Sequence, residues 1–293
     1  MKTLDLASLS PMQAQQYLQH AVAPRPICFA STIDSNGLVN LSPFSFFNLF
    51  SSNPPVVIFS PARRVRDNTT KHTLENVLDV PEVCINMVNY AMVQQMSLSS
   101  CEYPKDVNEF EKAGFTPVAS ELIRPPRVAE SPVQMECKVL EVKALGDGGG
   151  AGNLIICEVL RLHIAESVLN EAGMIDQHKM DLVARLGGNW YSRTNAPALF
   201  EVEKPNVQLG IGFDQLPEAI RYSKILSGNH LGQLANVSDL PNIDPTFDDP
   251  QLRQIFQYYS IQPDEMEREL HTYAAQLLDK GEVEKAWQVL LAS

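Results

Sequence analysis

The sequence lacks the residue patterns that build common metal, disulfide and nucleotide sites. Its five cysteines are widely spaced without a Cys-x-x-Cys pair, and its six histidines never fall at His-x-x-x-His spacing. These absences argue against a disulfide framework and a local zinc site, so we expect buried thiols and no metal. No P-loop or Gly-x-Ser-x-Gly elbow occurs either, which argues against the chemistry of NTPases and serine hydrolases.

Positive charge and long apolar stretches are also scarce. The 293 residues hold 23 Lys and Arg against 35 Asp and Glu, a formal net charge of −12. Because phosphate neutralisation needs a basic surface, nucleic acid is not an expected partner. Residues 1–30 contain no basic segment leading into an unbroken apolar run, and residues 13–20 are polar. We therefore expect neither a signal peptide nor a membrane span, and a cytoplasmic location.

The chain has two regions of different charge and pattern. Residues 1–200 hold 16 basic and 20 acidic residues, whereas residues 201–293 hold 7 and 15. We place a domain boundary between them, at Lys204-Pro205-Asn206. This predicts a domain over residues 1–205 and an acidic α-helical C-terminal extension over residues 206–293.

The first region has the periodicity of strands and the second that of helices. Strands are predicted at residues 26–34, 38–42, 44–50, 56–60, 83–88, 133–145 and 153–165, with an Asn-Gly turn after the first. Helices are predicted at residues 71–80, 90–99 and 108–113, and after residue 205 at 216–226, 251–259, 264–278 and 283–291. Long strands joined by hairpins, with helices inserted between them, indicate a mainly β fold of the barrel type.

A glycine-rich segment, residues 146–151, matches Gly-x-Gly-x-x-Ala in its letters alone. A dinucleotide-binding motif must leave a strand and open a helix, but this segment joins two apolar strands. We interpret it as a hairpin loop.

A basic segment stands out in this acidic chain. Residues 59–76 (FSPARRVRDNTTKHTLEN) place Arg63, Arg64, Arg66 and Lys71 within nine residues, next to several threonines. Two interpretations remain open. Hydroxyl groups, free N–H groups at a helix start and a lysine suit a phosphate monoester. The same residues also suit a solvated basic loop with an ordinary threonine cap.

A second segment, residues 40–48 (NLSPFSFFN), places three phenylalanines among small hydroxylated residues. Phenylalanines at such density are typical of a core strand. Their position just before the basic segment also suits the wall of a cofactor site.

Taken together, these segments resemble the flavin reductase-like proteins of the FMN-binding split-barrel fold. The matching pieces run in order over about residues 20–195: Arg25-Pro26-Ile27, NLSPFSFFN at 40–48, NPPVVIFSP at 53–61, KHTLEN at 71–76, EVCINMV at 82–88, SSCEYPKDVNEF at 99–110, SPVQMECKV at 131–139 and RLGGNWYSR at 185–193. The resemblance implies a six-stranded Greek-key barrel with inserted helices, assembled as a homodimer with FMN near the subunit interface.

The resemblance also assigns residues to the FMN site. The flavin ring and the ribityl edge would be held by Ser45, Phe46, Phe47, Asn48 and Ser60. The phosphate would be held by Arg63 or Arg64 with Lys71 and Thr73, while Ser99, Ser100 and Tyr191 would lie near the cofactor or the partner subunit. His72 replaces an acidic residue common in the family, and His178 is a candidate for the nicotinamide side; simple exposure to solvent is the alternative for both.

The implied activity is that of an NAD(P)H-dependent flavin reductase. The flavin carries the chemistry, so no catalytic side chain is expected. FMN is the expected cofactor, with FAD as the alternative, NAD(P)H is the co-substrate, and a partner oxygenase or another acceptor takes the electrons. Two other functions remain open: a flavoredoxin-type electron carrier without its own NAD(P)H site, and a scaffold whose helical extension is the functional surface. We expect the extension to narrow access to the flavin or to dock a partner protein.

Overall fold

The structure is a computed structural model that describes residues 1–202, 204–205 and 209–292. It divides into one unit over Met1–Phe200 and a second over Glu201–Ser293. The predicted boundary at residues 205/206 includes Asn206, which lies outside the described residues, and it remains a prediction. Each unit has a hydrophobic core of its own.

The first unit is rich in antiparallel strands. In chain order they are Cys28–Ile33 (β1), Val39–Phe44 (β2), Phe47–Ser52 (β3), Pro55–Phe59 (β4), Glu82–Met87 (β5), Pro117–Val118 (β6), Arg127–Val128 (β7), Val133–Ala144 (β8), Asn153–Ile164 (β9), Val183–Arg185 (β10) and Tyr191–Arg193 (β11). Seven of them form one sheet in the order β2-β1-β5-β8-β9-β4-β3, whereas β6 pairs with β7 and β10 with β11.

The sheet cannot be flat, because its two edge strands are neighbours in the chain. Only Ser45 and Phe46 separate the end of β2 from the start of β3. Three Cα steps reach at most about 11 Å, whereas the edges of a flat seven-stranded sheet would lie about 29 Å apart. The sheet therefore curls into a barrel. The resemblance implied six strands, and that number is reached only when β2 and β3 are counted as one interrupted strand.

Strand β1, next to the edge strand β2, is buried on both of its faces. Cys28 and Ala30 belong to the core enclosed by the sheet, together with other small and β-branched residues. On the other face, Phe29 packs in a cluster with Met96 and Phe110 from inserted helices. Burial on both faces also encloses the polar residues Ser31 and Thr32, whose hydroxyl groups have hydrogen-bond partners in Pro126 and Asn76.

Helices surround the sheet of the first unit and make up most of the second. Those of the first unit are Pro11–Ala21 (α1), His72–Asp79 (α2), Val93–Leu98 (α3), Glu109–Ala113 (α4) and Gln177–Met180 (α5). Those of the second are Glu218–Arg221 (α6), Gly228–Leu234 (α7), Pro250–Tyr259 (α8), Pro263–Leu278 (α9) and Val283–Leu291 (α10). Within the described residues, none of these helices combines the length and the apolar character needed to cross a membrane.

The second unit is a helical bundle around a fully buried Trp287. The helix predicted at residues 216–226 is shorter than expected, because α6 ends at Arg221. Beyond that point the Ser223 side chain, and not the helix backbone, accepts hydrogen bonds from the backbone N–H groups. The Ser223 hydroxyl accepts from the N–H of Ile225 and Leu226, and this bonding turns the chain out of the helix.

The buried carboxylate of Glu109 accepts hydrogen bonds from donors at the edge of β2. Glu109, at the start of α4, accepts a hydrogen bond from the N–H of Leu41 at 3.0 Å and from the Asn40 side chain at 2.8 Å. Asn40 in turn accepts from the Thr73 hydroxyl at 2.6 Å. Burial raises the pKa of the Glu109 carboxyl. This network fixes β2 against α2 and α4.

We predict that Glu109→Ala lowers the free energy of unfolding by about 1–3 kcal/mol, because it leaves buried donors of β2 without an acceptor. Urea unfolding measures the change. The matched control is Glu111→Ala, which removes an exposed carboxylate from the same turn of α4 and should cost far less. Equal losses in the two variants would contradict the role assigned to Glu109.

Candidate functional site

A cleft of about 330 Å³ opens beside the connection between the two edges of the sheet. Its walls are mainly apolar: Phe46, Phe47, Phe50, Ile58 and Leu154. Its volume is at the lower end of the range for small-molecule sites, which are typically apolar with a few placed polar groups. We call it the aromatic cleft.

The residues predicted for a flavin ring come together in this cleft. Ser45, Phe46, Phe47, Asn48 and Ser60 all line it. The carbonyl of Phe46 accepts from the N–H of Ser60 at 2.8 Å, which ties the connection to the end of β4. Ser60 also needs a glycine opposite it, since a Cβ on Gly152 would lie 2.7 Å from its hydroxyl oxygen.

A buried arginine forms the polar side of the aromatic cleft. Arg25 is only 7% exposed and lines the cleft near Ser45. Its guanidinium donates to the carbonyl oxygens of Gln19 at 2.6 Å and Leu186 at 2.9 Å. Burial, and then the nearby Arg185, lower the pKa of the Arg25 guanidinium.

A second cavity, which we call the polar cavity, lies at the start of α2. It is lined by hydrophilic residues from β2, α2 and the segment between α3 and α4: Asn40, Ser42, Arg64, Lys71, His72, Ser100, Cys101, Glu102, Tyr103 and Glu109. Ser42 in this cavity and Ser45 in the aromatic cleft are three residues apart, about 10 Å in an extended chain. The end of β2 therefore runs from one cavity to the other.

Lys71 is the cation of the polar cavity that has no carboxylate partner. Its ammonium lies 5.3 Å from the centre of the Phe44 ring and forms no salt bridge with any described residue. Burial, followed by repulsion from Arg64, lowers the pKa of Lys71. Among the described residues, no side chain caps the start of α2. Positive charge and helix N–H groups thus meet at a place suited to an anion.

The neighbouring arginines already have partners. Glu102 accepts from Arg64 at 3.2 Å and from Arg66 at 2.9 Å. Arg64 also donates to the Thr69 hydroxyl at 2.8 Å. The hydrogen bond from Arg66 is the main cause that lowers the pKa of Glu102. The number of cations in the basic segment therefore overstates the charge that is free to bind an anion.

Four predicted site residues line neither cavity. Arg63 donates to Asn68, while the Thr73 hydroxyl is fully buried and donates to Asn40. The remaining two are also engaged elsewhere. The buried Ser99 hydroxyl donates to the carbonyl of Met96, and Tyr191 lies under the guanidinium of Arg185. Arg63, Thr73 and Ser99 thus form internal hydrogen bonds, and the Tyr191 ring has an internal cation–π contact. His178 also lies outside both cavities, whereas His72 lines the polar one.

Several lining residues had no role in the sequence-based prediction. Arg25 was noted only as part of the chain entering β1, and Asn40, Ser42 and Glu109 had no assigned role. Their importance depends on which side chains are buried and left unpaired, and no local motif encodes that. No group of His, Cys, Asp and Glu in the described part of the chain is arranged to hold a metal.

Comparison with known proteins identifies the family of the first unit. The sequence profile of the family described as "Flavin reductase like domain" matches residues 20–182. A protein of Aquifex aeolicus is 39% identical over 170 residues, which are 58% of this chain and 84% of that protein.

Two solved structures show the same fold. Nitrilotriacetate monooxygenase component B from Bacillus cereus is 27% identical with a TM-score of 0.63, over 70% of this chain and 98% of its own. A protein with a split barrel domain from Shewanella frigidimarina is 25% identical with a TM-score of 0.58, over 68% and 95%. The curled sheet, its flanking helices and the profile match lead to one conclusion: this chain belongs to the flavin reductase-like family.

Proposed function

We propose that the protein is an FMN-binding, NAD(P)H-dependent flavin reductase that hands electrons to a second flavin, an oxygenase or another acceptor. The observation that carries the proposal is the unpaired ammonium of Lys71, placed one short stretch of β2 away from the aromatic cleft. A phosphate monoester joined to a flat aromatic ring by a flexible chain has the chemistry that these two cavities require. FAD is the alternative cofactor.

The residues present fit this group. In the proposed arrangement Lys71 holds the phosphate, with Arg64 and Ser100 beside it in the same cavity, and Ser42 lies where the ribityl chain passes between the cavities. Phe46 and Phe47 flank the ring, while Ser45, Asn48 and Ser60 supply polar contacts at its edge. Arg63, Thr73, Ser99 and Tyr191 are not assigned direct contacts, because they line neither cavity.

When bound, the flavin supplies hydride chemistry at its N5 atom, with a reduced nicotinamide as the donor. The protein's own residues bind the flavin, orient its ring and shield it from water. Phe59 and Ile155, fully buried behind the cleft, hold β4 and β9 rigid. Phe46 is 40% exposed, so its ring is accessible to a second ligand at the cleft. No acid, base or nucleophile is needed from the chain.

The similarity to a monooxygenase component B supports an oxygenase as the electron acceptor. The main alternative is a flavoredoxin-type carrier, which would keep the FMN site and lack the nicotinamide site. The nicotinamide site has no residue assigned to it, so a direct reaction with NADH and NADPH is the measurement that separates the two functions.

We predict that the FMN-loaded protein loses its yellow absorbance when NADH or NADPH is added without oxygen, and regains it when air is admitted. Stopped-flow spectra measure both steps. Bleaching by dithionite combined with inertness to both nicotinamides would favour the carrier. A protein that takes up no FMN would contradict the proposed function itself.

The affinity for FMN is expected to depend on pH through Lys71. The phosphate needs a charged ammonium, and the free Lys71 pKa lies below the usual 10.5. As pH rises through this lowered pKa, Lys71 loses its proton and FMN should bind more weakly. In Lys71→Arg, whose guanidinium stays charged, the affinity should persist to higher pH. Fluorescence titration of FMN at a series of pH values measures the difference.

The charge reversal Lys71→Glu should weaken FMN binding at neutral pH by tenfold or more, since it places a like charge beside the phosphate. Lys138→Glu is the matched control, because Lys138 is exposed on β8 and the net charge changes equally. Similar losses in both variants would point to the overall charge of the protein and away from the polar cavity.

We also propose a homodimer, since β3 is an edge strand with exposed apolar side chains. Leu49 and Phe50 are each 63% exposed beside the cleft. An apolar strand edge of this kind is normally covered by a partner, and a second copy is the commonest one.

Leu49→Asp should therefore shift the protein toward monomer and weaken FMN binding, as followed by analytical ultracentrifugation with absorbance of the flavin. Leu78→Asp, at a similarly exposed residue of α2, is the control and should leave the assembly unchanged. A wild-type protein that sediments as a flavin-loaded monomer would rule out the dimer.

A further inference from the structure

Arg25 is a buried cation without a counter-ion. It is 7% exposed, yet among the described residues it forms no salt bridge. Its side chain donates to the carbonyl oxygens of Gln19 at 2.6 Å, Val22 at 2.5 Å and Leu186 at 2.9 Å, and to the Ser45 hydroxyl oxygen at 3.5 Å. Carbonyl groups satisfy its N–H donors but do not neutralise its charge. A buried charge of this kind is normally paired with an opposite one.

Among the residues that the structure describes, the side chain that accepts a hydrogen bond from Arg25 is Ser45, which lines the aromatic cleft. Because the Nε–H group of Arg25 donates to it, the Ser45 oxygen acts as an acceptor on that side. The Ser45 hydroxyl proton is then free to be donated to a group in the cleft. Arg25 thus contributes to the cleft in two ways. It places a positive charge there, and it orients the Ser45 hydroxyl as a hydrogen-bond donor.

The positive charge is concentrated at this end of the cleft in a chain with a net charge of −12. Arg185 bonds Arg25 through both backbone groups, at 3.0 Å and 2.8 Å, and repels its guanidinium. Arg185 itself lies 4.6 Å from the centre of the Tyr191 ring. Two neighbouring guanidinium groups without carboxylate partners among the described residues make this a place that favours an anion.

We propose that Arg25, with Ser45, is a positioning pair that makes the cleft bind reduced FMN more tightly than oxidised FMN. This inference rests on the proposed function and extends it to the preference between the two forms of the cofactor. Oxidised FMN has a neutral ring, whereas the reduced ring carries a negative charge near neutral pH. A fixed positive charge beside the ring therefore distinguishes the two forms, while the phosphate contacts of Lys71 do not.

The preference has a direct thermodynamic readout. A ligand can shift an equilibrium only by its difference in affinity for the two states. Tighter binding of reduced FMN therefore makes the reduction potential of bound FMN more positive than that of free FMN. For a two-electron couple, a tenfold preference corresponds to 29.6 mV.

The test measures the dissociation constants of oxidised and reduced FMN, and the two-electron potential of bound FMN, for the full chain and its variants. Arg25→Gln removes the charge and should weaken binding of reduced FMN about tenfold more than binding of oxidised FMN, with a potential about 30 mV more negative. Arg25→Lys keeps a charge and should retain most of the preference. Ser45→Ala should shift the potential in the same direction by a smaller amount.

His20→Ala controls for the structural role of Arg25, whose carbonyl partners Gln19 and Val22 lie at the end of α1. The His20 ring packs against Gly187, so this variant loosens α1 while leaving Arg25 and Ser45 in place. Its potential should equal that of the wild type. Should Arg25→Gln fail to fold, the other two variants test the proposal. The reduction potential should become more negative in Ser45→Ala and should stay close to the wild-type value in Arg25→Lys.

Three results would overturn the proposal. Equal weakening of oxidised and reduced FMN in Arg25→Gln would reduce Arg25 to a structural residue and leave the proposed function standing. A changed KM for NADH or NADPH at an unchanged potential would assign Arg25 to the co-substrate. A wild-type protein that binds neither form of FMN would remove the proposed function together with the pair.

Discussion

The two-residue connection between β2 and β3 is the constraint on which the site depends. It joins opposite edges of one sheet, so the sheet must curl until those edges meet. The edges do not pair with each other; β2 lines the polar cavity and β3 lines the aromatic cleft. The chain on one side of the connection faces the polar cavity, and the connection itself faces the aromatic cleft. Glu109 holds this arrangement by satisfying the free edge of β2.

In this protein, the cationic side chains without a salt-bridge partner among the described residues indicate where an anion can bind. The basic segment contains four cations, but Glu102 and nearby polar groups occupy its arginines. Within the described part of the chain, neither Lys71 in the polar cavity nor Arg25 at the aromatic cleft forms a salt bridge. Binding of an anion at these two places costs no existing salt bridge. This is why we assign function to Lys71 and Arg25 ahead of the more conspicuous arginine cluster.

The sequence predicts the large strands well, since β-branched and aromatic runs ended by proline or glycine leave few alternatives. All seven strands of the main sheet lie within about three residues of the predicted bounds. Helix α1 is not among the predicted elements: residues 13–20 are mostly polar in sequence, and the helix buries none of its side chains. Its Ser10–Gln13 capping box was the available signal. In the site, Ser45 to Asn48 could be predicted because they are contiguous, whereas Arg25 becomes conspicuous only once its burial and its partners are known.

In the proposed arrangement, the placement of the two cations separates affinity from redox preference. A phosphate has the same charge whether its flavin is oxidised or reduced, so the proposed interaction with Lys71 would stabilise both forms alike and would set how long the cofactor stays bound. A charge at the ring changes the difference in affinity between the oxidised and the reduced flavin. The affinity that the two forms share comes from the phosphate contacts. Substitutions at Arg25 could therefore adjust the reduction potential to a different electron acceptor without loss of the cofactor. Substitutions at Lys71 could instead turn a tightly held cofactor into a released product at a constant reduction potential. A single barrel could in this way serve either as a carrier that keeps its flavin or as a reductase that exports it.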